Sequence, residues 1–409
     1  MTRFFSCACF EKRAGVGLLY DDADEADVSF DFFFDLRTLQ NATSFFSELN
    51  HLGHGGSGAV YRGVMPNAQE IAVKELSLES SQGLREFTTE VKLLMRTQHP
   101  NLVTLLGCCA EGPKKMLVYE FLPNKSLDYF LFGKDHKSAT LDWTTRLRIV
   151  RGVARGLLYL HEEAPERIIH RDIKASTILL DDYLNPKISG YGLARLFPGE
   201  VTHVNIFGIS ETHEISPCLG LLYTSLSEKK RRKLECSGYM APEYAIDGYL
   251  SEKADVFSYG VLVLEIVSGR KNHDWWFGSV TSDLLRYTWL LYQGARELDL
   301  VDPSLTEFNE NEAAMCIGLG LLCCQQSVLD RPAMNSVHLM LSSDSFPFAR
   351  MPTLGEPRMQ GLGGRWTTTS TTAFSNSNAT SGPNNVTRVS TGSSFVVASS
   401  SSSASVRNM

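Results

Sequence analysis

The chain has 409 residues, 43% of them apolar, with a formal net charge of -7 and a pI near 5.8. That is ample for a sizeable core in one large or two or three ordinary domains, and the acidic balance argues against a general nucleic-acid binder. Nine cysteines, an odd number with adjacent pairs at Cys108/Cys109 and Cys323/Cys324, give no reason to draw a disulfide framework and fit buried thiols in a reducing cytosol.

The N-terminal MTRFFSCACF lacks the apolar core of a signal peptide, and Thr2 stands where myristoylation needs a glycine, so both are disfavoured. Cys7 and Cys9, beside Arg3 and two phenylalanines, are candidate palmitoylation sites; an untethered terminus is the favoured reading. Residues 1–35 read as irregular, and the acidic run Asp21 to Asp27 as a solvated segment. Asn50 to Val73, rich in glycine, β-branched residues and turn signals, reads as strands. Gly83 to Met95 reads as a helix that gathers Leu84, Phe87, Val91, Leu94 and Met95 on one face and leaves Glu86 and Lys92 elsewhere.

Leu147 to His161 reads as a second amphipathic helix. Asp255 to Ser268 is apolar nearly all round, which marks a helix at the centre of a large helical domain. Its longest apolar stretch, Tyr259 to Val267, is too short to span a bilayer and is interrupted by Glu265, so no transmembrane helix is expected. After Gly361 the composition turns to Ser, Thr, Asn and Gly, which cannot bury enough apolar surface to order itself. The expected division is therefore an irregular segment over 1–35, a globular domain over 36–345 and a disordered tail over 346–409. The Asn-X-Thr triplets at Asn378 and Asn385 matter only in a secreted protein and read here as chance.

The chemistry begins in LGHGGSGAVYRG. Gly53, Gly55, Gly58 and Val60 form G-x-G-x-x-G-x-V, where glycines let backbone amides approach phosphates unobstructed. Alone this is an ordinary turn pattern. It is followed by IAVK, which places Lys74 on a strand where it can reach α- and β-phosphates, with Glu90 on the next helix as the partner that fixes it. In IIHRDIKASTILLD, His170, Arg171, Asp172 and Lys174 interrupt an apolar run; unpaired charges would be costly in a core, so this reads as a loop facing a site. Glu243 in GYMAPEY and Arg331 in LDRP read as a structural ion pair.

In this order, these blocks resemble the eukaryotic protein kinases. FDLRTLQNATSFFSELNHLGHGGSG, LVYEFLPNKSLDYFLF and DVFSYGVLVLEIVSGR resemble the plant receptor-like kinases more closely, the cysteine-rich and receptor-like cytoplasmic groups above all, over roughly Phe32 to Ser345. The resemblance implies an α+β bilobal fold, with a small β-rich N-lobe over about 50–122 and a larger helical C-lobe over about 123–345. It implies ATP in the cleft, and Ser/Thr preference from Lys174 two residues after Asp172. Asp172 matches the residue that accepts the substrate hydroxyl proton, and Lys174 the one that steadies the transferred phosphoryl group. Tyr119, Glu120 and Leu122 fall along the adenine-binding hinge, and Arg171 in the place of the arginine that pairs with a phosphorylated activation loop.

Both metal-ligand positions depart from the family pattern. The asparagine ligand of the second Mg²⁺ falls on Thr177, and the metal-binding aspartate of D-F-G falls on Gly190, with Tyr191 for Phe. Both protein-derived metal ligands are thus replaced, so weak ATP binding is expected and Mg²⁺ is a doubtful cofactor. The activation segment carries an atypical stretch over 211–237, either a real insertion or translated intron, and the threonine that steadies Asp172 and Lys174 falls on Cys236. KKRRK at Lys229 to Lys233 reads as a solvated loop rather than a nuclear signal. Ser57 for Phe and Ala59 for Pro weaken phosphate coverage modestly.

The expectation is a cytoplasmic Ser/Thr kinase homologue with impaired phosphotransfer, acting as a pseudokinase that docks with active receptor-like kinases or other signalling proteins. It binds no nucleic acid and associates peripherally with the plasma membrane. The alternatives are an active kinase that recruits metal through Asp181 or Asp182, and the product of a decaying gene.

Overall fold

The computed structural model describes residues 32–54, 58–76, 81–111, 115–133, 141–197, 199, 201–206, 238–272, 283–342 and 354–357. Cys7, Cys9, the acidic run, Gly55, Ser57, the stretch 211–237 with its basic cluster, and Asn378 and Asn385 lie outside the described residues.

The small lobe is a five-stranded antiparallel sheet. Helix α1 (Leu36–Ala42) starts at Asp35, whose carboxylate accepts the Thr38 amide at 2.8 Å, an N-cap. The residues before it are stitched to the sheet edge: the Phe34 amide donates to the Cys108 carbonyl at 3.0 Å. Strands β1 (His51–His54), β2 (Ala59–Val64), β3 (Glu70–Leu76), β4 (Leu105–Cys109) and β5 (Lys115–Glu120) lie in the order β1-β2-β3-β5-β4. Because side chains alternate across a strand, neighbouring residues serve different cores. Val73, Cys109, Met116 and Val118 pack beneath Leu39 of α1. Leu76, Cys108, Leu117 and Tyr119 join the larger core on the other face.

Helix α2 (Ser81–Leu94) packs on that second face. Phe87, Val91 and Leu94 are buried as the spacing predicts, and Lys92 is exposed. Glu86 is not: it is 6% exposed, a correction to its assignment off the buried face. The physical reason is Gly192, whose missing side chain leaves room for the Glu86 chain; a β-carbon there would lie 3.1 Å from Glu86 Cγ.

The large lobe opens with α3 (Leu127–Phe132) and α4 (Trp143–Leu158). The latter begins before the predicted Leu147 because Asp142 caps it, accepting the Thr145 amide at 2.8 Å. A π-helical turn over Tyr159–Glu163 carries the chain on through His161. Three two-stranded ribbons follow, pairing β6 (Arg167–Ile169) with β9 (Arg195–Phe197), β7 (Ile178–Leu180) with β8 (Pro186–Ile188), and β10 (His203–Asn205) with β11 (Tyr249–Ser251).

Helix α5 (Pro242–Asp247) leads to α6 (Glu252–Ser268), in which every residue from Ala254 to Ser268 is buried. This is the central helix that its all-round apolarity predicts. α7 (Leu284–Gln293) and α8 (Glu310–Cys323) pack against it, and α9 (Met334–Ser342) packs on α4. Arg331 and Glu243 form the predicted structural pair, two parallel bonds of 2.6 and 2.8 Å with Arg331 at 1% exposure. The five described cysteines are free and buried, and burial pushes the Cys108, Cys316 and Cys323 thiols up to about 12. Among the described residues no helix is long and apolar enough to cross a membrane.

Candidate active site

The sheet register sets the phosphate side of the site. Val60 on β2 lies directly opposite Lys74 on β3, and Lys74 in turn opposite Leu117 on β5. From there the Lys74 Nζ reaches Glu90 Oε1 on α2 at 2.6 Å, with the Glu90 side chain 1% exposed. The other Glu90 oxygen accepts the hydroxyl of Tyr119. Burial, then the Glu90 charge, pushes the Tyr119 phenol well above its ordinary range, so it stays a donor. Tyr119 therefore faces α2 rather than the hinge where the motif position put it.

Gly58 sits where β2 begins, against β3: a β-carbon there would overlap the Glu75 carbonyl. Gly53 has φ +152 and open space around it. Glu120 ends β5, and its carboxylate accepts the Thr104 amide at 2.7 Å and Lys187 Nζ at 3.0 Å. That side chain ties the end of β5 to Lys187 on β8. Leu122, next along, is partly buried against the main core.

On the opposite side, a loop between β6 and β7 carries Asp172 and Lys174. Its root is α6: buried Asp255 accepts the backbone amides of His170 and Arg171, both at 2.7 Å, and pairs with His161 Nε2 at 3.0 Å. Burial opposes the Asp255 charge, but the His161 hydrogen bond and the neighbouring amides hold its carboxyl below the usual range. Burial likewise pushes His170 down, so it is neutral; its Nε2 meets the Ser189 carbonyl at 3.0 Å and its Nδ1 the Asp172 amide at 3.3 Å. Lys174 Nζ lies 2.8 and 3.0 Å from the two Asp172 oxygens. The loop thus brings Asp172 and Lys174 into direct contact.

Arg171, with φ +72, points into a closed set of partners. Its guanidinium donates to Tyr244 Oη (Nε at 2.9 Å) and to the Leu193 carbonyl at 2.9 Å, and lies over the Tyr244 ring. The expected phosphate partner is here matched by a neutral hydroxyl and a carbonyl.

The two altered positions meet beneath Asp172. Thr177 Oγ1 lies 2.8 Å from the Asp172 carbonyl and 3.0 Å from that of Lys174, and accepts the Lys174 amide at 3.2 Å. Its hydroxyl is spent holding the loop. Gly190 adopts the left-handed conformation, φ +85 and ψ 48, which glycine takes without penalty. It offers no donor atom beyond the backbone, and a β-carbon there would lie 3.2 Å from the Thr177 methyl. Tyr191 follows, fully buried, its ring edge-on to His170 at 4.9 Å. Asp181 closes a turn: its oxygens accept the Tyr183 and Asn185 amides and the Asn185 side chain at 2.8 to 3.0 Å. Among the described residues, no group of three or more His, Cys, Asp or Glu side chains could hold a metal ion. Neither position 177 nor position 190 presents a carboxylate or carboxamide side chain.

Two family models match the chain: the protein kinase domain over residues 46–276 and the protein tyrosine and serine/threonine kinase domain over 219–341. The chain belongs to the protein kinase family. Its curated relatives are plant receptor-like kinases. Cysteine-rich receptor-like protein kinase 10 of Arabidopsis thaliana is 46% identical over 329 residues, 80% of this chain and 44% of that protein. Cysteine-rich receptor-like protein kinase 29, from the same plant, is 47% identical over 312 residues, 76% of this chain and 43% of that protein. The G-type lectin S-receptor-like serine/threonine-protein kinase RKS1 is 45% identical over 332 residues, 80% and 37% of the two. The chain spans about two-fifths of the length of these relatives. Kinase domains of this family use ATP and Mg²⁺; in this chain Thr177 and Gly190 stand at the two positions the family pattern gives to metal ligands.

Proposed function

We propose that this kinase homologue is impaired in phosphotransfer and acts by docking with active receptor-like kinases. The observation that carries the reading is Gly190, with no side chain, next to a Thr177 hydroxyl already committed to the Asp172 loop. Phosphoryl transfer is mostly positioning and charge neutralisation, so losing metal ligation removes several kcal/mol of transition-state stabilisation. At ~1.4 kcal/mol per decade, a loss of ~4 to 6 kcal/mol slows transfer by roughly three to four powers of ten.

In this reading Lys74, fixed by Glu90, meets nucleotide phosphates, with Val60, Leu122 and the glycine loop around the nucleotide. ATP binds weakly and with little Mg²⁺ dependence. Asp172 would accept the hydroxyl proton and Lys174 steady the phosphoryl group in any residual reaction. The protein is cytoplasmic, held at the plasma membrane by a receptor partner or by acyl groups on Cys7 and Cys9; because one lipid chain gives only marginal binding, both cysteines matter if acylation occurs. The test is thermal-shift titration with ATP, with and without Mg²⁺ or Mn²⁺, since a ligand raises the melting temperature by mass action. A small, metal-independent shift is expected.

A second reading, an active Ser/Thr kinase, is favoured by the assembled Lys74–Glu90 and Asp172–Lys174 pairs. A large Mg²⁺-dependent shift would select it.

A further inference from the structure

Beyond α9 the chain returns to the large lobe at Leu354–Pro357, a correction to the disordered tail expected over 346–409 and ahead of the composition change at Gly361, and the place where it lands is built from one side chain. Gln325, just past the end of α8, is 5% exposed. Its Nε2 donates to the Leu321 carbonyl and to the Gly355 carbonyl, both at 3.0 Å, and its Oε1 accepts the Gly355 amide at 2.9 Å. A glutamine amide that both donates to and accepts from one residue's backbone reads an extended chain, whatever its side chains. The backbone of Gln325 also bridges Pro357 in antiparallel fashion.

Side chains add selectivity. Leu354 is 9% exposed and joins the main core, Pro357 is buried, and Gly355 and Glu356 between them face out. A β-carbon on Gly355 would lie 3.0 Å from Gln325 Oε1, so a side chain there presses on the oxygen that takes the amide. The receptor is itself rigid: Arg331 Nε donates to the Gln325 carbonyl at 3.0 Å while the same guanidinium grips Glu243.

We propose that Gln325 is the centre of a peptide-docking site on the large lobe that takes an extended Leu-Gly-x-Pro segment, and that its occupant is this chain's own Leu354–Pro357. The occupant competes well because it is tethered: 11 residues, 343–353, separate it from the end of α9 at Ser342, and a short tether gives a high effective concentration. A donor and an acceptor of Gln325, buried with the strap in place, are satisfied by the strap alone. The site is independent of the catalytic reading, since none of these residues touches Lys74, Asp172, Thr177 or Gly190.

Amide hydrogen exchange on the full chain tests it. In the unaltered protein the Gly355 amide is expected to exchange at least tenfold more slowly than an unstructured amide. Gln325→Ala and Gly355→Val should each return the residue-355 amide to the unstructured rate. Gly355→Val leaves the helix side of the site untouched, so the amides of α8 keep their protection and loss at the strap reports undocking rather than unfolding. A Gly355 amide that exchanges at the unstructured rate in the unaltered chain overturns the proposal, and so does a Gly355→Val strap as protected as the original.

Discussion

The two sides of the cleft differ in how their groups are held. On the phosphate side, the Glu90 carboxylate is shared between Lys74 and the buried Tyr119 hydroxyl, so the pair is woven into the packing of α2 on the sheet. On the metal side, position 190 has no side chain and Thr177 serves the loop beneath Asp172. A metal ligand adds little to the fold of an empty domain, so it can be lost cheaply if something else keeps the loop hydrogen bonds. The Thr177 hydroxyl supplies those bonds. A buried ion pair has no such cheap exit, because removing one member strands the other.

The largest effect expected tests whether the metal side is the principal defect. Gly190→Asp restores a carboxylate, but at φ +85 and with its β-carbon 3.2 Å from the Thr177 methyl. Left-handed backbone costs most side-chain-bearing residues about 1–2 kcal/mol, and Asp is among the few that visit it, so the single variant should lose some stability and recover part of the activity. Thr177→Asn removes the β-branch as well as restoring a ligand, and the two changes should be coupled rather than additive. Autophosphorylation of the double variant should rise well above an Asp172→Asn blank, toward the roughly three to four powers of ten that ~4–6 kcal/mol represents. Unaltered protein far above the blank would refute impairment; a repaired protein still at the blank would move the defect to the 211–237 stretch.

On the phosphate side, Glu90→Ala leaves Lys74 and Tyr119 without their shared partner, the Lys74 side chain being only 12% exposed. Breaking a buried pair in this way costs about 3–5 kcal/mol, here toward the lower end because Lys74 retains some solvent. Urea denaturation measures it. A loss below about 1 kcal/mol, the range of a surface pair, would erase the contrast between the two sides.

A third expectation concerns the floor beneath the end of the activation segment. Buried Glu265 accepts the Tyr239 hydroxyl at 2.5 Å and the Asn272 amide at 2.7 Å, while Asn272 donates to the Gly238 carbonyl. Burial pushes this carboxyl up to about 8 from an ordinary 4.5, against the pull of those donors. Because the folded value is the higher one, the folded state binds the proton more tightly. Its contribution to stability is fully present below about 4.5 and is lost as pH rises through about 8. At ~1.4 kcal/mol per unit, the decline is a few kcal/mol, and Glu265→Gln should flatten it. Denaturation midpoints across that window with the same slope in both proteins would contradict the assignment.

Much of this was legible in the sequence, and for a physical reason. Lys74 and Glu90 sit on consecutive elements, and Asp172, Lys174, Thr177 and Gly190 within 19 residues, so local spacing carries them. What escaped depends on tertiary register. Tyr119 meets Glu90 across 29 positions because β5 lies beside β3 beneath α2, and nothing in LVYEF says which way its ring turns. Glu86 is buried because of a glycine over 100 residues later. Arg171 finds Tyr244, and Gln325 finds Gly355, through folds of the chain that composition does not encode. The one signal available for the strap was that apolar residues persist around it, Phe346, Phe348, Met351 and Met359, before the composition turns to Ser, Thr, Asn and Gly after Gly361.

The smallest expected effect separates packing from hydrogen bonding on the intact side. Tyr119→Phe keeps the ring in the core and deletes one hydroxyl, so the Lys74–Glu90 pair survives while the second Glu90 oxygen loses its donor. A buried acceptor left unsatisfied costs about 1–3 kcal/mol, and the retained Lys74 contact places this case near the lower bound. If α2 is held inward mainly by Lys74, nucleotide affinity is unchanged and only stability falls. If Tyr119 is what orients the carboxylate, Glu90 turns toward Lys74 alone, the lysine is drawn from the phosphates, and ATP affinity falls together with stability. Urea denaturation and ATP titration on the same variant read the two outcomes separately, and a variant unchanged in both would show that the hydroxyl has no part in fixing the pair.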